Sequence, residues 1–283
     1  MISAILAGGK GVRLWPESTG KRPKQMCDFL GRGSLLTMSL RRLEVLGPLL
    51  VVCGDEQREL VADEQNGIEF CLLSEPMGRN TAAAVGLALA AGLGEGDEVI
   101  GFFPADHYIE NDEEFRSCIR RAEELAQEGY LVTIGIIPAY AETGYGYIER
   151  VNDRDSYLVK AFHEKPDLAT ATAYVQNGNF FWNAGIFIAT VATWMGLMEQ
   201  HLPLLFERIQ GGKDVYCGHY SEYPSVSIDY AIAEKCNRMA VLEGNFGWSD
   251  IGSWDALAAV LDQDEQGNAR SGKVSIIECS GCL

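Results

Sequence analysis

Met1-Ile2-Ser3-Ala4-Ile5-Leu6-Ala7-Gly8-Gly9-Lys10-Gly11-Val12-Arg13-Leu14-Trp15-Pro16-Glu17-Ser18-Thr19-Gly20-Lys21-Arg22-Pro23-Lys24-Gln25 opens the chain, and the rest is read from it. Ile2 to Ala7 is a short uncharged apolar run, the pattern of a strand buried on both faces of a parallel sheet. It breaks into Gly8, Gly9, Lys10 and Gly11, where three glycines let the backbone turn sharply and bring its N–H groups close to a ligand. Arg13, Lys21, Arg22 and Lys24 follow in the same loop, which Trp15-Pro16 stiffens. Cations gathered on an otherwise acidic chain need an anion to face, and phosphate is the commonest one.

Two familiar phosphate loops do not fit. No second glycine is followed by Lys-Ser or Lys-Thr, so this is not a Walker loop. Leu14 stands where the dinucleotide fingerprint needs its third glycine. What remains is a long cationic glycine turn after a buried strand, which we read as a nucleoside triphosphate site.

Working outward, strand-like and helix-like stretches alternate through the first half. Ser34–Leu46 is amphipathic, Leu49–Cys53 apolar, Glu56–Gln65 polar and helical, and Ile68–Leu73 a strand. Asn80 and Thr81 can cap an alanine-rich helix running to about Leu93. Val99–Phe103, Asp112–Gln127 and Leu131–Ile137 read as strand, charged helix and strand. This order predicts an α/β fold with a doubly wound parallel sheet and ligands at the carboxyl ends of its strands. Later come strands at Tyr147–Glu149, Tyr157–His163 and Phe180–Ile188, and helices at 167–175, Val191–His201 and Ile228–Lys235. Gly211 to Tyr223 reads as loop. Residues 1–262 form one unit, and 263–283 turn polar before a short strand-like run from Lys273 to Cys279.

Composition narrows the function classes. The 283 residues are 47% hydrophobic and 10% aromatic, which are globular values. A net charge of −17 argues against nucleic acid or an anionic membrane as partner. No apolar run is long enough to span a bilayer, and no basic leader precedes Ile2, so a cytoplasmic setting is expected. The eight cysteines (27, 53, 71, 118, 217, 236, 279 and 282) lie mostly in apolar segments, as small hydrophobes of a reducing compartment do. Cys279-x-x-Cys282 has no second pair beside it and carries no metal assignment.

Three stretches carry chemistry at the expected strand ends. Asp106 directly follows the run Phe102-Phe103-Pro104-Ala105, where a carboxylate can hold a hard cation. Asp250 lies in a second glycine-flanked turn, Gly247-Trp248-Ser249-Asp250-Ile251-Gly252. Each alone would read as a turn aspartate. Ser74-Glu75-Pro76-Met77-Gly78-Arg79-Asn80-Thr81 joins a strand to a helix whose N-terminus can meet an anion or a polar base edge. Glycine-bent Glu142–Glu149 can approach a sugar ring with Glu149 as hydroxyl acceptor. Glu164-Lys165-Pro166 and Trp182-Asn183-Ala184-Gly185 end or begin strands nearby. None of the four histidines has triad or metal spacing.

The opening stretch resembles the signature of the sugar-nucleotide pyrophosphorylases, a nucleotidyltransferase family, in its form L-A-G-G-x-G-x-R-L followed by P-K. The L-W-P and P-K-Q variants are similar to those of mannose-1-phosphate guanylyltransferases. Lys10 and Val12 depart from the small or hydroxyl residues more usual there. Motifs in the family's order continue to about Trp254. The resemblance implies a Rossmann-like mixed sheet of the nucleotide-diphospho-sugar transferase type, with the family's C-terminal β domain truncated or absent. It implies GTP and mannose 1-phosphate as substrates, Mg²⁺ as cofactor on Asp106 and Asp250, and leaves a homodimer open. It also implies Leu6, Ala7, Gly8, Gly9, Gly11, Glu75, Arg79, Asn80 and Thr81 around the nucleotide, with Glu75 accepting guanine N1–H and N2–H. Arg13 and Lys24 would neutralise the β- and γ-phosphates and Lys165 would orient the sugar phosphate. Gly146, Glu149, Glu164 and Asn183 would read the sugar, with Ala184 replacing a family serine. Still open are transfer to glucose 1-phosphate from UTP or dTTP, and a sensor that binds sugar nucleotides without turnover. A nicotinamide oxidoreductase is disfavoured by the failed fingerprint.

Overall fold

A computed structural model describes residues 1–9, 11–151, 157–270 and 274–283; Lys10 and Lys273 lie outside them. In chain order the elements are β1 (Ile2–Leu6), α1 (Leu35–Leu43), β2 (Leu49–Gly54), α2 (Arg58–Asp63), β3 (Cys71–Glu75), α3 (Asn80–Ala90), β4 (Val99–Pro104) and β5 (Tyr108–Ile109). Next come α4 (Asp112–Gln127), β6 (Leu131–Ile136), β7 (Tyr147–Arg150), β8 (Val159–His163), α5 (Leu168–Asn177), β9 (Phe180–Thr190) and α6 (Val191–His201). The chain goes on through α7 (Pro203–Gln210), α8 (Gly212–Gly218), α9 (Ile228–Ala231), β10 (Met239–Glu243), β11 (Trp248–Ser249) and α10 (Trp254–Val260).

The main sheet runs β10-β6-β9-β4-β1-β2-β3, with the β7–β8 hairpin attached through β9. β1 to β4 are parallel to one another, as the alternating pattern predicts, and β10 is parallel to β6. β9 lies antiparallel between β4 and β6, so the sheet is mixed, which is the arrangement the resemblance implies. The α/β class with helices on both faces stands. On one face, α3, α6, α7 and α8 pack over Ala82, Trp194, Leu205 and Tyr216; on the other, α1, α2 and α4 pack over Leu36, Val61 and Ile119.

α4 shows how its sequence dictates the element. Asn111 caps it by accepting from the Glu114 N–H at 3.1 Å, and three acids occupy its positive first turn. Phe115, Ile119, Ala122, Leu125 and Ala126 form the stripe it buries.

Four expectations need correction. The strand expected from Ile68 starts at Cys71, because among the described residues β3 is an edge strand whose ladder with β2 begins at Leu50↔Cys71. Asn80 and Thr81 are the first residues of α3 and not its caps; Arg79 holds the cap position, and α3 stops at Ala90. Residues 211–223 form α8 and a single 3₁₀ turn at Tyr220–Glu222, since Tyr216, Tyr220 and Tyr223 are fully buried against α3. Tertiary packing there overrides weak helix propensity. From Val274 to Cys279 the described residues form no strand and are exposed, with no ladder partner beside them. Among the described residues no helix is long and apolar enough to cross a membrane.

The α3–α8 contact yields a stability prediction. Tyr216 donates its hydroxyl hydrogen to Ala83 O at 3.0 Å, and a β-carbon on Gly86 would overlap that hydroxyl and stand 2.7 Å from Cζ. Gly86→Ala should therefore lose about 1–3 kcal/mol from overpacking, more than the ~1 kcal/mol an alanine gains in a helix interior. Urea denaturation checks it, and a more stable variant would contradict this packing.

Candidate active site

β1 and β4 run side by side, with Leu6 paired to Pro104, so the turn after one strand meets the loop after the other. Ala105 N–H donates to Leu6 O at 3.2 Å. The turn itself is tied down by two buried amides that its own motif does not announce. Gln25 Nε2 donates to Ala7 O at 2.6 Å and to Gly9 O at 2.9 Å, and Gln57 Nε2 donates to Gly9 O at 3.2 Å. Gly11 has φ +49°, and a β-carbon there would sit 2.7 Å from Lys24 N, so the turn and the Lys24 segment touch through backbone. Only glycine meets both demands cheaply.

Lys24 is 4% exposed and points back into this junction. Its ammonium lies 2.7 Å from Asp106 Oδ2 and also donates to the backbone carbonyl of Asp250. Asp106 and Asp250 are brought together by a small ribbon: β11 pairs with β5 through Ser249↔Tyr108, each one or two residues from an acid. The loop carrying Arg13 and Lys24 is fastened to the same region by Leu14, Cys27 and Phe29, packed with Ile251 and Leu257. Arg13 joins in, its Nη1 standing 3.3 Å from where a Gly252 β-carbon would be. Three sequence-remote motifs thus meet at one point.

The electrostatics follow. Burial works to raise the Asp106 pKa, but the Lys24 ammonium outweighs it and holds the carboxyl below its usual range. Asp250 Oδ1 accepts from Tyr145 O–H at 2.6 Å and from Gly252 N–H at 3.0 Å. Trp248 Nε1–H donates to His107 Nδ1 at 3.1 Å, and burial lowers the His107 pKa to about 4, so the ring is a neutral brace at pH 7. The Asp106 carboxylate and the Asp250 backbone carbonyl already compensate one cation, and the Asp250 carboxylate lies in the same turn, so the oxygens gathered here are hard donors. Mg²⁺ suits such a set, because it takes one or two carboxylates and fills the rest of its shell with water and phosphate oxygens. Among the described residues no group of three or more metal-ligating side chains occurs.

A cavity of about 270 Å³ opens beside this point, walled by Leu6, Gly9, Gln25, Thr81, Asp106 and Asp229. Glu75 stands at the end of β3, its Oε2 2.9 Å from a would-be Gly8 β-carbon and its Oε1 accepting from Tyr220 O–H at 2.6 Å. Burial raises its pKa, against the Tyr220 bond. Arg79 Nη2 donates to Ser221 O at 2.6 Å, Asn80 Oδ1 accepts from Thr81 N–H at 2.8 Å, and Thr81 Oγ1 accepts from Ile228 N–H at 2.8 Å. The Arg79 and Thr81 bonds knit the 220s to the start of α3.

On the other side, Asn183 N–H donates to Gly146 O at 2.8 Å, and a side chain at Gly146 would come within 2.5 Å of Glu164 Oε2. Glu164 pairs with Lys165 at 2.7 Å. Glu149 Oε1 is taken by Lys160 Nζ at 2.6 Å, and Glu149, like Gly146, Glu164, Lys165 and Asn183, is not among the residues that wall the cavity. Sequence reasoning missed Gln25, Gln57, Tyr145, Tyr220 and Asp229. Gln25 had a signal in its place after Pro23-Lys24 and Tyr145 in its place between Gly144 and Gly146; Gln57, Tyr220 and Asp229 lie outside any glycine or cation pattern.

Comparison with known proteins places the chain in a family. The sequence profile of the family described as Nucleotidyl transferase matches residues 2–267. The chain is 39% identical over 304 residues to the Mannose-1-phosphate guanylyltransferase of Sinorhizobium fredii NGR234, covering 100% of this chain and 59% of that protein. It is 38% identical over 308 residues to the protein of the same name from Klebsiella pneumoniae, covering 100% and 64%. The chain thus spans about three fifths of the length of these relatives. A crystal structure from Thermus thermophilus, named mannose-1-phosphate geranyltransferase, superposes with a TM-score of 0.85 at 38% identity, over 94% of this chain and 81% of that one.

Proposed function

The chain belongs to the nucleotidyl transferase family, and from that premise we propose that it transfers the guanylyl group of GTP to mannose 1-phosphate, giving GDP-mannose and pyrophosphate. One observation carries the reading: Lys24, Asp106 and Asp250 converge beside a glycine turn at the carboxyl ends of parallel strands. A sugar-phosphate oxygen, already ionised at neutral pH, attacks the α-phosphorus in line, so the protein needs neither general base nor covalent nucleophile. Positioning and charge neutralisation are what remain for it to supply. The backbone of Gly8, Gly9 and Gly11 holds the triphosphate; Arg13 and Lys24 neutralise charge passing to the departing pyrophosphate; Lys165 orients the incoming phosphate. Asp106 and Asp250 would hold Mg²⁺, which would draw charge from the α-phosphate. Glu75, fixed by Tyr220, accepts the two N–H donors of guanine that UTP and dTTP cannot present together. Eight free thiols support a cytoplasmic setting.

A pyrophosphate-release assay with mannose 1-phosphate and GTP, ATP, UTP or dTTP tests the reading. GTP is expected to be turned over at least about 100-fold faster than the others, since a site built to pair with base donors rejects bases lacking them. A preference for UTP or dTTP, or no release with any triphosphate, overturns it.

A further inference from the structure

The sugar side of the cavity differs from what its motif suggests. Asn183, the amide expected to read hydroxyls, has its atoms largely committed. Its Oδ1 accepts from Gly185 N–H at 3.0 Å and lies 3.2 Å from Thr133 Oγ1, whose one hydrogen has a closer acceptor in Ile186 O at 2.9 Å; its Nδ2 donates to Asp229 Oδ1 at 2.8 Å. The Gly185 N–H and the Asp229 carboxylate fix which end of the amide is which. With its oxygen on the Gly185 N–H and its nitrogen on the Asp229 carboxylate, both ends of the Asn183 amide are engaged with the protein. The group it aims is Asp229, at the start of α9 and in the cavity wall with Gly185, Thr81 and Asp106.

Asp229 is held there at an electrostatic cost. Among the described residues no ion pair reaches it, because the nearby Lys165 ammonium pairs with Glu164. Burial first, then the Glu164 carboxylate, push its pKa up to about 6, against the Asn183 bond and Lys165. A carboxylate kept under such opposition in a cavity wall is a candidate for a ligand that offsets it. An ionised carboxylate offers about four lone-pair sites, and Asn183 fills one. The ligand is not a phosphate, which Asp229 and Glu164 would both repel. Neutral hydroxyls fit: with the phosphate oriented by Lys165 as proposed above, the ring turns toward Asp229.

Resting on the transfer to a sugar phosphate proposed above, we propose that Asp229, positioned by Asn183, accepts hydroxyl hydrogens of the bound hexose and so determines which sugar phosphate is used. Asp229→Asn keeps the shape of the side chain and removes its charge and acceptor capacity. Its KM for mannose 1-phosphate is expected to rise about 100-fold, as when a built hydrogen-bond partner is lost, while its KM for GTP stays within about twofold, because the base and triphosphate contacts lie elsewhere. The deciding readout is a set of monodeoxy mannose 1-phosphates. One deletion should cost the wild type about as much as the substitution does, and the same deletion should cost Asp229→Asn little, because the pair is already broken. Asn183→Ala, which frees the carboxylate to turn, should move the same KM in the same direction. Deletions penalised equally in wild type and Asp229→Asn, or equal rises in both KM values, overturn the proposal alone. A wild type that turns over no hexose 1-phosphate overturns the transfer reading, and this proposal with it.

Discussion

Lys24→Met is expected to lower kcat/KM for GTP by about 1,000-fold, read as pyrophosphate release at saturating mannose 1-phosphate. The residue is nearly isosteric in length and apolar, so it refills a site that is 4% exposed while deleting the charge. That charge is already desolvated and aimed: its ammonium lies 2.7 Å from Asp106 Oδ2 and bonds the Asp250 carbonyl. In a water-poor site a preorganised donor costs about 100–1,000-fold when removed, and here a full cation goes. The protein should stay folded. Removing one partner of a buried pair costs about 3–5 kcal/mol, but the Asp106 side chain is 35% exposed and water takes over much of the compensation. Lys24→Arg should not restore the rate, since a planar fork cannot occupy the place of a compact ammonium. Turnover within about fivefold of wild type in Lys24→Met would remove this loop from the chemistry.

How far the sequence reveals such a site differs from element to element. Ile2–Leu6 and Val99–Pro104 were legible because strands buried on both faces read as uncharged apolar runs, and their ends placed the glycine turn and Asp106. α4 was legible to the residue because cap, acidic first turn and apolar stripe agree. The place of β9 was not legible. Eleven residues apolar on both faces announce a central strand, but not that it would enter antiparallel between β4 and β6. Chain order carries no such information. Nor was α8, whose helix exists because three tyrosines found a buried surface on α3.

The same distinction runs through the site. Arg13, Lys24, Asp106 and Asp250 belong to stretches whose residue types are odd for their local structure, and such oddity is visible in a string of letters. Gln25 and Gln57 hold the glycine turn, Tyr145 holds Asp250 and Tyr220 holds Glu75, all by ordinary hydrogen bonds between residues remote in sequence. A glutamine or tyrosine in a polar stretch looks like surface until its partner is known. The sequence offers Asn183 as a reader of sugar hydroxyls, and its hydrogen bonds to Gly185 and Asp229 give it the place of a support. Only the three-dimensional ledger of donors and acceptors reveals that.

Asp250→Asn should cost about 1,000-fold in kcat and raise the Mg²⁺ concentration needed for half-maximal rate by more than about tenfold. The substitution is geometrically mild. Asp250 Oδ1 accepts from the Tyr145 hydroxyl at 2.6 Å and from Gly252 N–H at 3.0 Å, and an amide oxygen can accept both. The Lys24 bond goes to the backbone carbonyl and survives as well. Thermal unfolding should therefore shift little, and what changes is one formal charge beside the developing pyrophosphate. Hard cations bind oxygen donors chiefly through charge, so the loss falls on metal affinity and on the rate it supports. Asp106→Asn differs in kind, because it strips Lys24 of its carboxylate partner and should lower thermal stability as well as rate. The two variants together separate charge from scaffold. If Asp250→Asn keeps full turnover at the wild-type Mg²⁺ requirement, the two aspartates do not share a cation, and the convergence on Lys24 is a structural ion pair instead of a catalytic centre.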